Sequence, residues 1–100
     1  MNIAKEIGVP ALLEQCAEEC GELSHACLKM ARKLRHENPT PMSKQKIFEH
    51  LNEETADVQL CIDALFKAGV LTRDVVDSNK IVKAARWEQR MEEFKNEKEN

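Results

Sequence analysis

Glycine and proline, the two residues that most often interrupt helices, occur only three times each in 100 residues. Apart from Gly21, they mark three breaks in the chain, at residues 8–10, 39–41 and 69. The stretches between these breaks carry apolar residues at helical spacing and show no alternating strand pattern. The sequence therefore predicts an all-α fold with three main helices.

The residues beside the breaks predict where each helix begins and ends. Pro10 suits the first turn of a helix, Ser43 has a side-chain oxygen that can cap one, and Gly69 can end one. Thr72, with Asp74 behind it, gives a further N-terminal signal. The expected helices are a short turn at residues 2–7, a long helix at 10–35, a second at 44 to 67 or 68, and a third from about 72 into the low nineties.

A single domain over residues 1–100 is expected, because the chain is near the small end of what can bury its own core. The chain ends in the polar segment KNEKEN, which predicts a frayed tail over about residues 91–100. The short connection between the first two long helices predicts an antiparallel helical hairpin, to which the third helix is added. This arrangement buries its apolar faces best against a second copy, so a four-helix-bundle-like homodimer or homotetramer is expected.

Charge and hydropathy exclude two kinds of partner. The net charge is −3 and no long basic run appears, which argues against binding to a nucleic-acid polymer. No apolar stretch approaches the roughly 20 residues that span a bilayer, and residues 1–10 lack the apolar core of a signal peptide. We expect no membrane partner and a cytoplasmic location.

The four cysteines are expected to be buried, reduced thiols that neither form disulfides nor bind zinc: Cys16, Cys20, Cys27 and Cys61.

Two acidic residues lie on the packed side of the second helix. At about 100° per residue, Glu54 points in the same direction as the apolar residues Ile47 and Leu65. Asp57, three residues further on, lies at one flank of that apolar side. Both carboxylates are therefore expected to face the first helix.

The first helix repeats this pattern less deeply. Glu19 lies at the edge of the apolar stripe that includes Leu12 and Leu23, Glu22 lies one turn beyond it, and Glu18 lies further round toward solvent. If the two apolar faces pack antiparallel, the two acidic pairs converge on one partly buried place. Burying several ionised carboxylates costs many kcal/mol unless they are protonated, paired or bound to a cation. Carboxylate oxygens at this spacing suit Mg²⁺ or Mn²⁺ and, with them, phosphate-bearing ligands.

The two acidic segments also resemble a known family. Residues 18–23 read EECGEL and residues 53–58 read EETADV, an EExxE motif followed by ExxD. Over about residues 12–68 the chain resembles the MazG-like group of all-α nucleoside triphosphate pyrophosphohydrolases. The resemblance implies Mg²⁺-dependent cleavage of an NTP or dNTP to the monophosphate and pyrophosphate by a helical homo-oligomer, as in house-cleaning of nucleotide pools. The base, the sugar and the number of phosphates stay open, and phosphoribosyl-ATP is an alternative substrate.

Residue roles follow from matching the motifs to this chain. The resemblance implies that the metal ligands are Glu19, Glu22, Glu54 and Asp57, and that Glu18 orients the attacking water as the catalytic residue. On the third helix, Asn79, Lys83 and Arg86 share one face with two valines and are expected to bind substrate phosphates. The alternative for that face is simple exposure to solvent.

Three other interpretations of the acidic residues remain open. They can be ordinary surface residues paired with lysines such as Lys29 and Lys33. The segment from Glu22 to His25 reads Glu-x-x-His, which is typical of ferritin-like di-metal proteins, although the second such motif of that class is missing. A non-catalytic helical dimer that acts as a regulator or adaptor is the alternative from a different functional class.

The histidines and the tryptophan each have a structural and a functional interpretation. His50 precedes Glu54 by one turn and His25 follows Glu22 by one turn, so either can touch metal or substrate. A hydrogen-bonded structural role is the simpler expectation for both. His36 is expected to cap a helix end or meet solvent, and Trp87 to form an oligomer or core contact rather than stack on a base.

Overall fold

A computed structural model describes residues 1–37 and 39–99 of the chain. In these residues the protein is all-α, with four helices and no strand. The helices are α1 (Ile3–Ile7), α2 (Val9–Arg35), α3 (Lys44–Lys67) and α4 (Arg73–Glu99). The predicted fold class and helix order are therefore confirmed, while Asn38 in the predicted connection lies outside the described residues.

The helix ends of α1 and α2 follow from local chemistry. Asn2 caps α1, because its side-chain oxygen accepts the Lys5 N–H at 3.3 Å. Gly8 separates α1 from α2 with a φ of 87°, a backbone region that glycine reaches without the steric cost of a Cβ. His36 ends α2 in the left-handed conformation, and its N–H bonds back to the last turn. His36 is therefore an exposed residue at a helix end, as expected.

The boundaries of α3 match the sequence prediction closely. The Ser43 hydroxyl oxygen accepts the Lys46 N–H at 3.2 Å, which satisfies one donor of the first turn. Gly69 has a φ of 76° beyond the last turn, and the Val70 N–H bonds to the Leu65 carbonyl oxygen at 3.1 Å. A glycine with positive φ, followed by an N–H that bonds back to the last helical turn, is the usual C-terminal cap of a helix.

Contacts between residues divide the chain into two units, Met1–Val70 and the part from Leu71 onward. In the first unit, α2 packs against α3 and the short α1 contacts both. The short connection makes α2 and α3 an antiparallel hairpin, as predicted. The residues that this packing buries are Leu12 and Ala26 from α2 and Ile47, Val58 and Leu65 from α3. These residues determine which faces of α2 and α3 meet, and therefore on which side of each helix the acidic side chains lie.

The second unit contains α4. The N–H of Val76 bonds to the Thr72 carbonyl oxygen at 3.0 Å, which places the start of the helix where the sequence predicted it. The helix then continues through Glu99, so the frayed tail expected over residues 91–100 is helical as far as the structure describes it. Glutamates and lysines are good helix formers, and a Lys98 ammonium 5.0 Å from the Phe94 ring centre supports the last turn.

None of the helices in the described residues has a long enough apolar stretch to cross a membrane.

Candidate metal centre

Three carboxylates from two helices meet beside the packed faces of the hairpin, where Glu19 and Glu54 are half-buried and Asp57 is exposed. One oxygen each of Glu19, Glu54 and Asp57 lies within 4.8 Å of the other two. Glu19 comes from α2, and the other two residues come from consecutive turns of α3. The three-residue spacing puts the α3 pair on neighbouring positions of one surface, and helix packing brings Glu19 opposite them. The structure thus brings together three of the four residues predicted as metal ligands.

Glu54 is the most buried member of this cluster. Its side chain is only 12% exposed, and its Oε2 atom is buried without a hydrogen-bond partner in the described residues. A buried acceptor that lacks a partner costs about 1–3 kcal/mol, and more when it is charged. A proton or a cation on Oε2 removes this cost, so the donor set of the cluster fits a bound divalent metal.

The neighbours of the cluster orient its side chains. Gln15, one turn before Glu19, donates its side-chain N–H to Glu19 Oε1 at 2.8 Å. His50 lies between two acidic residues of α3, with its Nε2 3.7 Å from Glu54 Oε1 and its Nδ1 4.0 Å from Glu53 Oε2. All three contacts join residues three or four positions apart, a spacing that can be recognised in the sequence once the buried face is known. Gln15 is the one neighbour that the sequence analysis did not single out.

Lysine pairing does not account for Glu54. It is mostly buried, while Lys33, one of the suggested partners of the acidic residues, instead donates to the Thr40 carbonyl oxygen at 3.2 Å. Exposed pairing on a helix surface would leave both partners in solvent. The burial of Glu54 therefore argues against the interpretation of this residue as an ordinary surface acid.

Thiols lie beside the acidic cluster. Burial raises the pKa of Cys61, and the negative charges of Glu19 and Asp57 raise it further. Burial also raises the pKa of Cys16, with a smaller contribution from its neighbour Cys20. Both effects favour the neutral thiol.

The cysteines are all free, as expected, but only two of them are half-buried, Cys16 and Cys61. The predicted burial of Cys20 and Cys27 is wrong, because both are exposed. They lie about 60–80° around α2 from the direction of Leu12, on a flank that α3 does not cover.

Glu22 and Glu18 lie outside the three-residue group. Glu22 is exposed on α2, about 60° around the helix from Glu19, and Glu18 is exposed further round. Of the four predicted ligands, the structure therefore brings Glu19, Glu54 and Asp57 together and leaves Glu22 outside the group. A role for Glu22 as ligand and for Glu18 in orienting water stays a prediction. His25, one turn beyond Glu22, is exposed as well.

The predicted substrate-binding residues belong to the second unit. Asn79, Lys83 and Arg86 are exposed on one side of α4, where their spacing of four and three residues aligns them. Trp87, expected to form a core or oligomer contact, is 70% exposed. It is therefore not a core residue of the chain as described.

The cluster can hold one hexacoordinate cation with small side-chain adjustments. Magnesium binds oxygen at about 2.0–2.1 Å, so ligand oxygens lie about 3 Å apart when adjacent and about 4.2 Å apart when opposite. Oxygens that already lie within 4.8 Å of one another need only rotamer-scale movements to meet this requirement. Three protein ligands leave positions for water or phosphate oxygens, which is typical of magnesium sites that act on phosphates.

No protein-family model, curated protein or solved structure matches this chain. The candidate site is therefore defined by the residues of the chain and their geometry.

Proposed function

We propose that the protein is a Mg²⁺-dependent nucleoside triphosphate pyrophosphohydrolase of the MazG-like kind. It would cleave an NTP or dNTP between its α and β phosphates and release the monophosphate and pyrophosphate. The observations that carry this proposal are the convergence of Glu19, Glu54 and Asp57 and the buried, unpartnered Oε2 of Glu54. The spacing of the EExxE and ExxD motifs supports the same reaction.

Each side chain has a defined task in this proposal. Glu19, Glu54 and Asp57 hold the cation, and the hydrogen bond from Gln15 and the contact with His50 restrict the movement of two of them. A bound Mg²⁺, or Mn²⁺ in its place, supplies positive charge to phosphate oxygens and lowers the pKa of water. Glu22, exposed beside the cluster, completes the ligand set after a rotamer change.

The remaining tasks concern the nucleotide. Glu18 accepts a hydrogen bond from the attacking water and orients it toward the α phosphate. Asn79, Lys83 and Arg86 of α4 supply donors and positive charge for the phosphates. We include in this proposal a homodimer or homotetramer, because each unit leaves large apolar side chains exposed, including Leu60 of α3 and Trp87 of α4.

Pyrophosphate release tests the proposal directly. Wild-type protein is incubated with Mg²⁺ and a panel of canonical and modified NTPs and dNTPs, with phosphoribosyl-ATP included. Glu54→Gln, which keeps the size of the side chain and removes its charge, should lower turnover at least about hundredfold. Glu49→Gln is the matched control, because Glu49 is exposed on α3, away from the cluster, and accepts a hydrogen bond from the Gln45 side chain. Equal turnover in the wild type and Glu54→Gln would refute the proposed site.

A second function is favoured by the apolar surface of α4. Trp87, Met91 and Phe94 are all more than half exposed, which is typical of a surface that binds another protein. In this case the protein is a non-catalytic regulator or adaptor, and the acidic cluster contributes to metal-dependent assembly. Absence of pyrophosphate release from every nucleotide, together with metal-dependent association, would favour this function over hydrolysis.

A further inference from the structure

The second unit carries an apolar stripe along one side of α4. Ala84, Trp87, Met91 and Phe94 follow one another at spacings of three, four and three residues. Trp87 is 70% exposed, Met91 is 55% exposed and Phe94 is 51% exposed, and none of the described residues of α4 is buried. Alternating spacings of three and four residues place side chains along the contact line of a two-helix coiled coil. The stripe is therefore shaped for a second helix.

The stripe also has a hole and a matching knob. Small Ala84 stands one turn before large Trp87 on the stripe, so a large side chain of a second helix has room beside it. In an antiparallel pair of identical helices centred near residue 89, Phe94 of one copy lies opposite Ala84 of the other. Trp87 then lies opposite Met91, a sulfur–aromatic pair. A parallel pair would place Ala84 against Ala84 and leave the hole unfilled.

Charges along α4 favour the same direction. Residues 73–86 carry four basic and two acidic side chains, whereas residues 88–99 carry five acidic and three basic side chains. An antiparallel pair sets the basic half of one helix against the acidic half of the other. In the register centred near residue 89, Lys83 on one flank of the stripe faces Glu97 of the second copy, and this pair occurs twice. Arg90 and Glu88, nearest the centre, each lie beside the same residue of the second copy, so the attraction comes from the outer parts of the contact. A parallel pair would place like halves together.

We propose that α4 pairs antiparallel with α4 of a second copy of this chain, with Trp87 against Met91 and Phe94 against Ala84 at the centre of the contact. This pairing specifies a surface, a direction and a register, and it does not depend on hydrolysis of a nucleotide. It leaves Asn79 and Arg86 on a different side of the helix from the stripe, near Val82.

Sedimentation velocity over a range of protein concentrations tests the pairing. Wild-type protein should associate, and Met91→Glu should weaken association at least about hundredfold, because it places a charge inside the contact. Val82→Glu is the matched control: Val82 is 54% exposed on another side of α4, so its substitution should leave association within about threefold of the wild type. Circular dichroism shows whether the helices of each variant are retained. Trp87 is the only tryptophan, so its emission should shift to shorter wavelength as the wild type associates.

A charge exchange tests direction and register. Lys83→Glu and Glu97→Lys should each weaken association by about tenfold, because each turns two attractive contacts into repulsive ones. The double variant should restore association, since it re-forms both pairs with reversed sign. A monomeric wild type, association that Met91→Glu leaves intact, or a double variant weaker than both single variants would each overturn the proposal. The readout is association, so any contact of Lys83 with substrate does not affect it.

Discussion

Replacing Glu54 with leucine should stabilise the metal-free protein while removing its response to metal. The side chain of Glu54 is 12% exposed and its Oε2 has no partner in the described residues, which costs about 1–3 kcal/mol in the absence of a cation. Leucine has a similar volume and no polar atom to leave unsatisfied. It loses only the 3.7 Å contact with His50, which contributes about 0–1 kcal/mol. The expected gain in free energy of unfolding is therefore about 1–2 kcal/mol in EDTA.

Urea denaturation followed by circular dichroism measures this effect. In EDTA, Glu54→Leu should unfold at higher urea than the wild type, with an unchanged slope. With Mg²⁺ or Mn²⁺ at about 100 times its dissociation constant, the wild type should gain about 2.7 kcal/mol and the leucine variant nothing. Glu53→Leu is the matched control, because Glu53 also contacts His50 but is 76% exposed; its change should stay within about 0.5 kcal/mol. A leucine variant that is less stable in EDTA and still gains stability from metal would refute the reasoning.

Three further predictions concern the core, a cap and the thiols. Leu65→Ala should lower the free energy of unfolding by about 2–5 kcal/mol, because Leu65 is 4% exposed, whereas Leu60→Ala at a 67% exposed position should change it by less than about 0.5 kcal/mol in urea denaturation. Ser43→Ala should cost about 1 kcal/mol in the same assay, because the Lys46 N–H loses its acceptor; no change would mean that the cap does not form. Burial raises the pKa of Cys16 and Cys61, so their neutral thiols contribute stability below the ordinary pKa of 9.0, and this contribution is lost as the pH rises through the higher folded-state values. Stability under reducing conditions should therefore begin to fall as the pH rises past about 9, and less so in a variant with serine at both positions.

Local sequence signals predicted the helices well because each boundary is set by one or two residues. Ser43 and Gly69 bracket α3, and the structure realises both signals through a side-chain cap and a positive φ. The end of α4 was not predicted, since a polar tail of glutamate and lysine can either fray or remain helical. In the structure, Lys98 and Phe94 interact in the last turns and the helix reaches Glu99.

The candidate site was predicted as far as helical periodicity allows. Periodicity gives the direction of each side chain around its own helix, which placed Glu54 and Glu19 on the packed faces. It does not give the rotation of one helix against the other. That rotation decides that Asp57, although exposed, joins the cluster while Glu22 lies outside it, and that Cys20 lies on an uncovered flank. Contacts such as that of His50 with Glu54 become recognisable only after the buried side is known.

The acidic cluster also illustrates a conflict between stability and function. A carboxylate oxygen that is buried without a donor destabilises the folded chain, and the buried Val58 one turn further along α3 would tolerate an apolar neighbour at this position. A glutamate at this position is favourable only when a proton or a cation supplies the missing partner of Oε2. Metal binding is therefore the central claim, and the hydrolysis reaction depends on it.

Electron paramagnetic resonance of Mn²⁺ tests the central claim most directly, because bound and free ions give separate signals. Titration of the wild type should show saturable loss of the free-ion signal, and competition with Mg²⁺ should restore it. Glu54→Gln should weaken binding at least about tenfold, whereas Glu49→Gln should bind like the wild type. Equal binding by all three proteins, or no binding by the wild type, would contradict a metal centre at Glu19, Glu54 and Asp57.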